Sequence, residues 1–399
     1  MSESTNNVPK GFRAAACSSG IKKSGKLDMA LICAEQPVDC AGVFTRNQVL
    51  AAPVRLTQSR VRQGLCQAIL VNSGNANACT GERGLLDAKR SGELVAEALD
   101  IAPELVAVAS TGVIGVPLPM HCFESHVPDL CRTLGDDQFD GVARAMMTTD
   151  AFPKVSSRTL VVDDQEVRIL GLAKGAGMIH PDMATMLAFV MTDAVLADNL
   201  LEDALQKTVD LSFNRITVDR DTSTNDMALL LASGAAGNPS ITSDSASYER
   251  FLAALGEVML DLAKMIVRDG EGATKLVHIQ VVGAHSDADA LTAARTIATS
   301  QLVKTAFFGE DANWGRIIAA AGYAGVAMEP DRVRILFDDV TLVKDGVGRG
   351  PEQEALATAV LQNAEFTVTV DLGCGDGRGD YYTSDLSYDY VRINAAYRT

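Results

Sequence analysis

Short apolar runs bounded by Gly, Asn and Asp mark the first part of the chain: MALICAE from Met29, AGVFTRN from Ala41, AILVNSGNANA from Ala68 and ELVAVASTGVIG from Glu104. Each predicts a strand running into a loop. Between them, Leu85, Ala88, Leu94, Val95 and Leu99 share one face of a helix over Leu85–Asp100. Two strand-like runs from Thr159 to Leu172 flank Asp163-Asp164 and predict a hairpin, and MLAFVMTDA from Met186 predicts a further buried strand. Phe251, Leu255, Val258, Met259, Leu262 and Met265 recur at helical spacing, so residues from about 246 to 267 predict a long helix with one buried stripe. KLVHIQVVGAH predicts a strand, followed by two helical segments through Tyr323, a hairpin from Arg332 to Val347, a helix over 351–363 and closing strands. The pattern is that of a mixed α/β protein of α+β type, with much antiparallel pairing. No repeat, low-complexity tract or linker marks a domain boundary.

Composition narrows the function classes. With 51 acidic against 35 basic side chains in 399 residues, the net charge of -16 repels nucleic-acid backbones and anionic membrane surfaces. A small-molecule substrate is the expectation, with no nucleic acid and no membrane as partner. The start MSESTNNVPKGFR carries no apolar stretch behind a basic segment, and no run approaches about 18 apolar residues, so the expected location is cytoplasmic. The eight cysteines show no CxxC pair, and Cys33, Cys66 and Cys122 sit in or beside apolar runs, which predicts buried free thiols and no metal site.

Neither a GxSxG nor an HExxH motif occurs, and of the five histidines only His180, in a Gly-rich loop, is kept as a site candidate. Another route to an activated nucleophile is a threonine whose own α-amine is freed by backbone cleavage. The stretch from Lys174 through Gly175, Gly177, Pro181 and Ala184-Thr185 into an apolar run supplies that context. The Thr185 hydroxyl attacks the Ala184 carbonyl, and hydrolysis of the resulting ester leaves residues 1–184 and 185–399. Read alone, the same residues describe a structural threonine in a loop before they describe a nucleophile.

The segment KGAGMIHPDMATMLAFVMTDA resembles the self-processing signature of the ornithine acetyltransferases, or glutamate N-acetyltransferases, of arginine biosynthesis. The likeness continues through PKGFRAA near the start, VNSGNANACTG at 71–81, ASTGVIG at 109–115, SFNRITVDRDTSTND at 212–226, DGEGATK at 269–275 and TSDLSYDYVRINAAYRT at the end. Ser384 departs from it, standing where many relatives carry cysteine.

The resemblance implies a layered α/β sandwich with mixed, largely antiparallel sheets, like that of the self-processing aminopeptidases. It implies an α chain 1–184 and a β chain 185–399 assembled as an α2β2 heterotetramer. It implies transfer of acetyl from N-acetylornithine to glutamate through an acetyl-Thr185 ester. Thr111 and Gly112 match the oxyanion pair, and Thr148, Lys174, Thr185, Glu271, Asn394 and Thr399 the substrate-binding residues. No cofactor is implied; some relatives also take acetyl from acetyl-CoA as a donor substrate.

Three rival readings have sequence counterparts. The run Val370–Gly377 matches the Gly-rich loop of S-adenosylmethionine-dependent methyltransferases, but 22 residues after it cannot supply the strand-helix units such a domain needs. A self-processed binding protein without turnover, and a hydrolase on the same architecture, are separated from the transferase by assay.

Overall fold

The computed structural model describes residues 7–180, 186–197 and 199–396. Its strands are β1 Phe12–Cys17, β2 Met29–Phe44, β3 Leu65–Asn75, β4 Val106–Val113, β5 Lys154–Val162, β6 Gln165–Lys174, β7 Leu187–Thr192, β8 Ile216–Thr217 and β9 Met227–Ala232. They continue as β10 Leu276–Ala284, β11 Arg334–Phe337, β12 Val340–Lys344, β13 Val347–Gly348, β14 Glu365–Asp371 and β15 Gly377–Ser384. One sheet runs β4-β3-β2-β9-β7-β6-β5 with β1 against β2, and the other β13-β12-β11-β14-β10-β15-β8. Only β3/β4, β7/β9, β10/β14 and β15/β8 pair in parallel, so both sheets are mixed and largely antiparallel, as expected.

Alternation explains how the first sheet becomes the middle layer of a sandwich. In β7, Ala188 and Val190 face one apolar cluster and Leu187, Phe189 and Met191 the other; in β9, Ala228 and Leu230 oppose Met227, Leu229 and Leu231 in the same way. Both faces of these strands are buried, which is why they read as unbroken apolar runs. The helix Ala246–Arg268 covers one face through Phe251, Leu255, Val258, Met259 and Leu262, and the helix Phe139–Met146 helps cover the other. The second sheet packs its β10, β11 and β14 residues against the helix Asp287–Ala298 in a separate cluster.

Several expectations meet small corrections. The two runs near Met29 and Ala41 form one strand, because the exposed stretch Glu35–Pro37 is crossed by an irregularity in the β2/β3 ladder rather than by a turn. Asp163 and Asp164, both with positive φ, close the β5/β6 hairpin as a tight two-residue turn. Three helices, not two, lie between β10 and Tyr323: Asp287–Ala298, Gln301–Phe308 and Trp314–Gly322. After the closing strands the chain tail forms a helix Tyr388–Ala396 that the periodicity did not predict, with Ser387 Oγ accepting from the Asp389 and Tyr390 N–H groups at its start. Among the described residues no helix is long and apolar enough to cross a membrane.

Candidate active site

The last residues of β4 carry Thr111 and Gly112, beside the end of β3. Gly112 has φ +130°, and a Cβ there would stand 2.4 Å from the Gly74 carbonyl carbon, so the backbone-to-backbone approach requires glycine. Lys174 ends β6 and is mostly buried; its Nζ donates to Thr111 Oγ1 at 3.3 Å. The Thr111 hydroxyl, with that acceptor site filled, retains its own O–H to give.

Thr148 is fixed from below by a buried ionic cluster. Asp150 accepts the Thr148 N–H at 2.9 Å and the Gly175 N–H at 2.7 Å, while Lys154 Nζ bridges Asp150 at 2.8 Å and Asp269 at 2.5 Å. Burial pushes the Asp150 carboxyl up, but Lys174 and Lys154 outweigh it and hold the acid well below the usual carboxylate range. In Asp269 burial wins over the single Lys154 charge, and its pKa lies above the ordinary value. The difference follows from Lys174, whose charge lowers Asp150, and from the Asp150 charge, which raises Asp269.

The loop after β6 faces the segment between the helix Ala246–Arg268 and β10. The Glu271 N–H donates to the Ala176 carbonyl at 2.9 Å, and a Cβ on Gly177 would meet the Glu271 carboxylate within 2.5 Å, so the loop passes directly over that side chain. Asn394, on the terminal helix, donates to Glu271 Oε2 at 2.8 Å. Ser387 ties this helix down by donating to the Gly272 carbonyl at 2.6 Å.

Thr111, Gly112, Thr148, Lys174, Glu271 and Asn394 come together on the wall of a single cavity of about 220 Å³. Met186 and Leu187 line it as well. Ala184, Thr185 and Thr399 lie outside the described residues.

His180 is not on that wall. It is buried, with Nδ1 3.2 Å from Thr217 Oγ1 and Nε2 accepting from Arg295 at 2.7 Å, which makes it a packed structural histidine and corrects the expectation of a site role. His278 pairs with Asp380 at 2.7 Å and stacks on Tyr382, away from the cavity.

The cavity also holds groups to which the sequence reading gave no role: Asp219, Asp221, Ser223, Asn225, Asp226 and Tyr390. Asp219 accepts the Met178 and Ile179 N–H groups at 2.6 and 2.8 Å; burial nevertheless raises its pKa. Asn225 bridges the Ala76 and Ser110 carbonyls, locking the β4 end to the segment before β9. All but Tyr390 lie in or next to VDRDTSTND, a stretch that matched the family without revealing which of its acids face inward.

Beside Lys174 and the Thr111 hydroxyl, the cavity carries the acidic side chains of Asp219, Asp221, Asp226 and Glu271, a lining that suits a small molecule bearing both charges. The chain is a layered α/β protein whose sheets and C-terminal helix together wall a polar small-molecule cavity. Residues 13–399 match the profile described as the ArgJ family. The Arginine biosynthesis bifunctional protein ArgJ of Syntrophotalea carbinolica is 61% identical over 98% of this chain and 99% of its own. That of Geobacter sulfurreducens is 56% identical over the same shares. A crystal structure of Arginine biosynthesis bifunctional protein argJ from Bacillus halodurans, 46% identical, superposes with a TM-score of 0.51 and covers 52% of this chain and 98% of that chain. The chain belongs to the ArgJ family.

Proposed function

We propose that the chain cuts itself between Ala184 and Thr185 and then transfers the acetyl group of N-acetylornithine to glutamate, with Thr185 as the acetyl carrier. The observation that carries this reading is the cavity itself. It gathers six residues far apart in sequence around Met186, the residue attached to Thr185. The solved Bacillus halodurans chain supports the cut, since its near-entire length corresponds to about half of this one.

Each wall then has a task. The Thr111 hydroxyl and the Gly112 backbone stabilise the oxyanion as the acetyl carbonyl becomes tetrahedral. Lys174 takes the α-carboxylate of the substrate, and Glu271, oriented by Asn394, takes the side-chain ammonium. Thr148 orients the acetamido group, and Thr399 is a further substrate-binding residue. Ornithine leaves, glutamate enters with its carboxylate on Lys174, and its amine removes the acetyl group. Acetyl-CoA is a second donor entering the same ester, in keeping with relatives named bifunctional. The working particle holds two copies of each fragment, in the cytoplasm.

Initial-rate kinetics test the reading. An acetyl-enzyme requires parallel double-reciprocal lines when acetylornithine and glutamate are varied, together with exchange of labelled ornithine into acetylornithine without glutamate. Intersecting lines without exchange rule out the acetyl carrier.

A further inference from the structure

Asp226 immediately precedes β9 and stands beside Met186. The β7/β9 ladder is parallel with Leu187 opposite Met227, and the Met227 N–H donates to the Met186 carbonyl at 3.0 Å. One residue back from that pair, Asp226 lines the cavity while its side chain is almost wholly buried. One carboxyl oxygen, Oδ2, has no hydrogen-bond partner among the described residues. A buried acid left so is destabilising, and one that lines a reaction cavity is a candidate for a catalytic role.

Burial also pushes this carboxyl well above the usual carboxylate range; the Ser223 side chain, the Lys174 charge and the backbone N–H of Met186 only partly offset it. That direction favours the protonated form, an O–H donor in a cavity whose other donors are the Lys174 ammonium, hydroxyls and amides. Both steps assigned to Thr185 expel a nitrogen that must leave as an amine, and no histidine lines the cavity to protonate it.

We propose that Asp226 is the proton carrier for the nitrogen expelled in the Thr185 reactions: its unpartnered oxygen, on the cavity wall beside Met186, hands that nitrogen a proton and takes back the one released by the threonine hydroxyl. In self-cleavage, the bond from Thr185 Oγ to the Ala184 carbonyl carbon forms and the Ala184–Thr185 C–N bond breaks. The Asp226 proton goes to the Thr185 nitrogen and the hydroxyl proton replaces it on the carboxyl. Water then hydrolyses the ester, leaving the Ala184 carboxyl and a free Thr185 hydroxyl. In the first half-reaction the same exchange occurs as the acetyl C–N bond of acetylornithine breaks, and ornithine departs as an amine. The inference rests on the function proposed above.

The test is Asp226→Asn, which keeps shape and a donor N–H but cannot pass a proton on. Purified under conditions that trap the uncut chain, it should self-cleave about 100-fold more slowly than wild type. Once cut, its kcat should fall by a similar factor with KM for acetylornithine within about twofold. Its melting temperature should equal or exceed that of wild type, and Asp226→Glu should recover part of the rate. Wild-type cleavage and kcat in D226N overturn the inference while leaving the acetyl carrier intact; a wild-type chain that neither cuts nor turns over removes the function itself.

If D226N does not fold, Ser223→Ala decides instead. Losing that hydroxyl raises the Asp226 pKa further, with the Lys174 charge unchanged, so the alkaline fall of kcat should move to higher pH. An alkaline limb that stays in place overturns the proposal.

Discussion

Replacing Lys154 by Met tests whether the buried ionic cluster holds the site from beneath. The Lys154 and Asp150 side chains are fully buried and that of Asp269 is 4% exposed, so the change strands two carboxylates away from water. Removing one partner of a buried pair costs about 3–5 kcal/mol. Asp150 retains two backbone N–H groups and the Lys174 charge, which puts K154M near the lower end, about 3 kcal/mol.

The assay is urea unfolding of uncut Thr185→Ala chains with and without K154M, at pH 8 and pH 5. Without Lys154, Asp150 keeps the Lys174 charge, while Asp269, already above its ordinary value, is left with a folded pKa raised further above its unfolded value. Such a group contributes most at low pH and loses stability as pH rises through the folded pKa, so the K154M deficit should shrink at pH 5. Adding Asp269→Asn to K154M removes one orphan and should restore at least about 1 kcal/mol. A deficit below about 1 kcal/mol at pH 8, or one equal at both pH values, refutes the assignment of the cluster as an essential charged support.

Three further outcomes follow. Thr111→Val deletes the hydroxyl beside Lys174 and should lower kcat about 100–1000-fold with little change in KM, read by steady-state kinetics. Glu271→Gln weakens the seat for the substrate ammonium and should raise KM for acetylornithine about tenfold, or about 1.4 kcal/mol; an unchanged KM removes that role. Lys304, whose Nζ is enclosed by Thr383 and Ser384, has its pKa pushed down by burial to about 7. Between that value and its unfolded pKa the unfolded chain binds the extra proton, so stability rises with pH there by up to about 1.4 kcal/mol per unit. Melting curves of Lys304→Met against wild type from pH 7 to 9 should lack that rise.

Local signals were legible where burial and turn chemistry agreed with the chain order. The stripe from Phe251 to Met265 and the Asp163-Asp164 turn needed no partner to be read. The helix Tyr388–Ala396 was not legible: Tyr388 and Val391 stay largely exposed and Tyr390 is half-buried on the cavity wall, so it has no buried stripe, and the Ser387 start signal alone is common. Thr111, Lys174 and Glu271 were found through motif resemblance, and the structure adds that they share a cavity. The support from Asp150, Lys154 and Asp269 spans more than a hundred residues, and nothing in a single sequence pairs such charges. Asp219 and Asp226 were equally silent, since the six polar residues between them give no hint of which side chains turn inward.

The central claim is tested most directly by intact-mass analysis under denaturing conditions of wild type and Thr185→Ala, then of wild type incubated with N-acetylornithine. The account predicts two fragments dividing at Ala184/Thr185, an acetyl adduct on the fragment beginning with Thr185, and an uncut Thr185→Ala chain. A wild-type chain that remains whole, or an adduct on the other fragment, contradicts it.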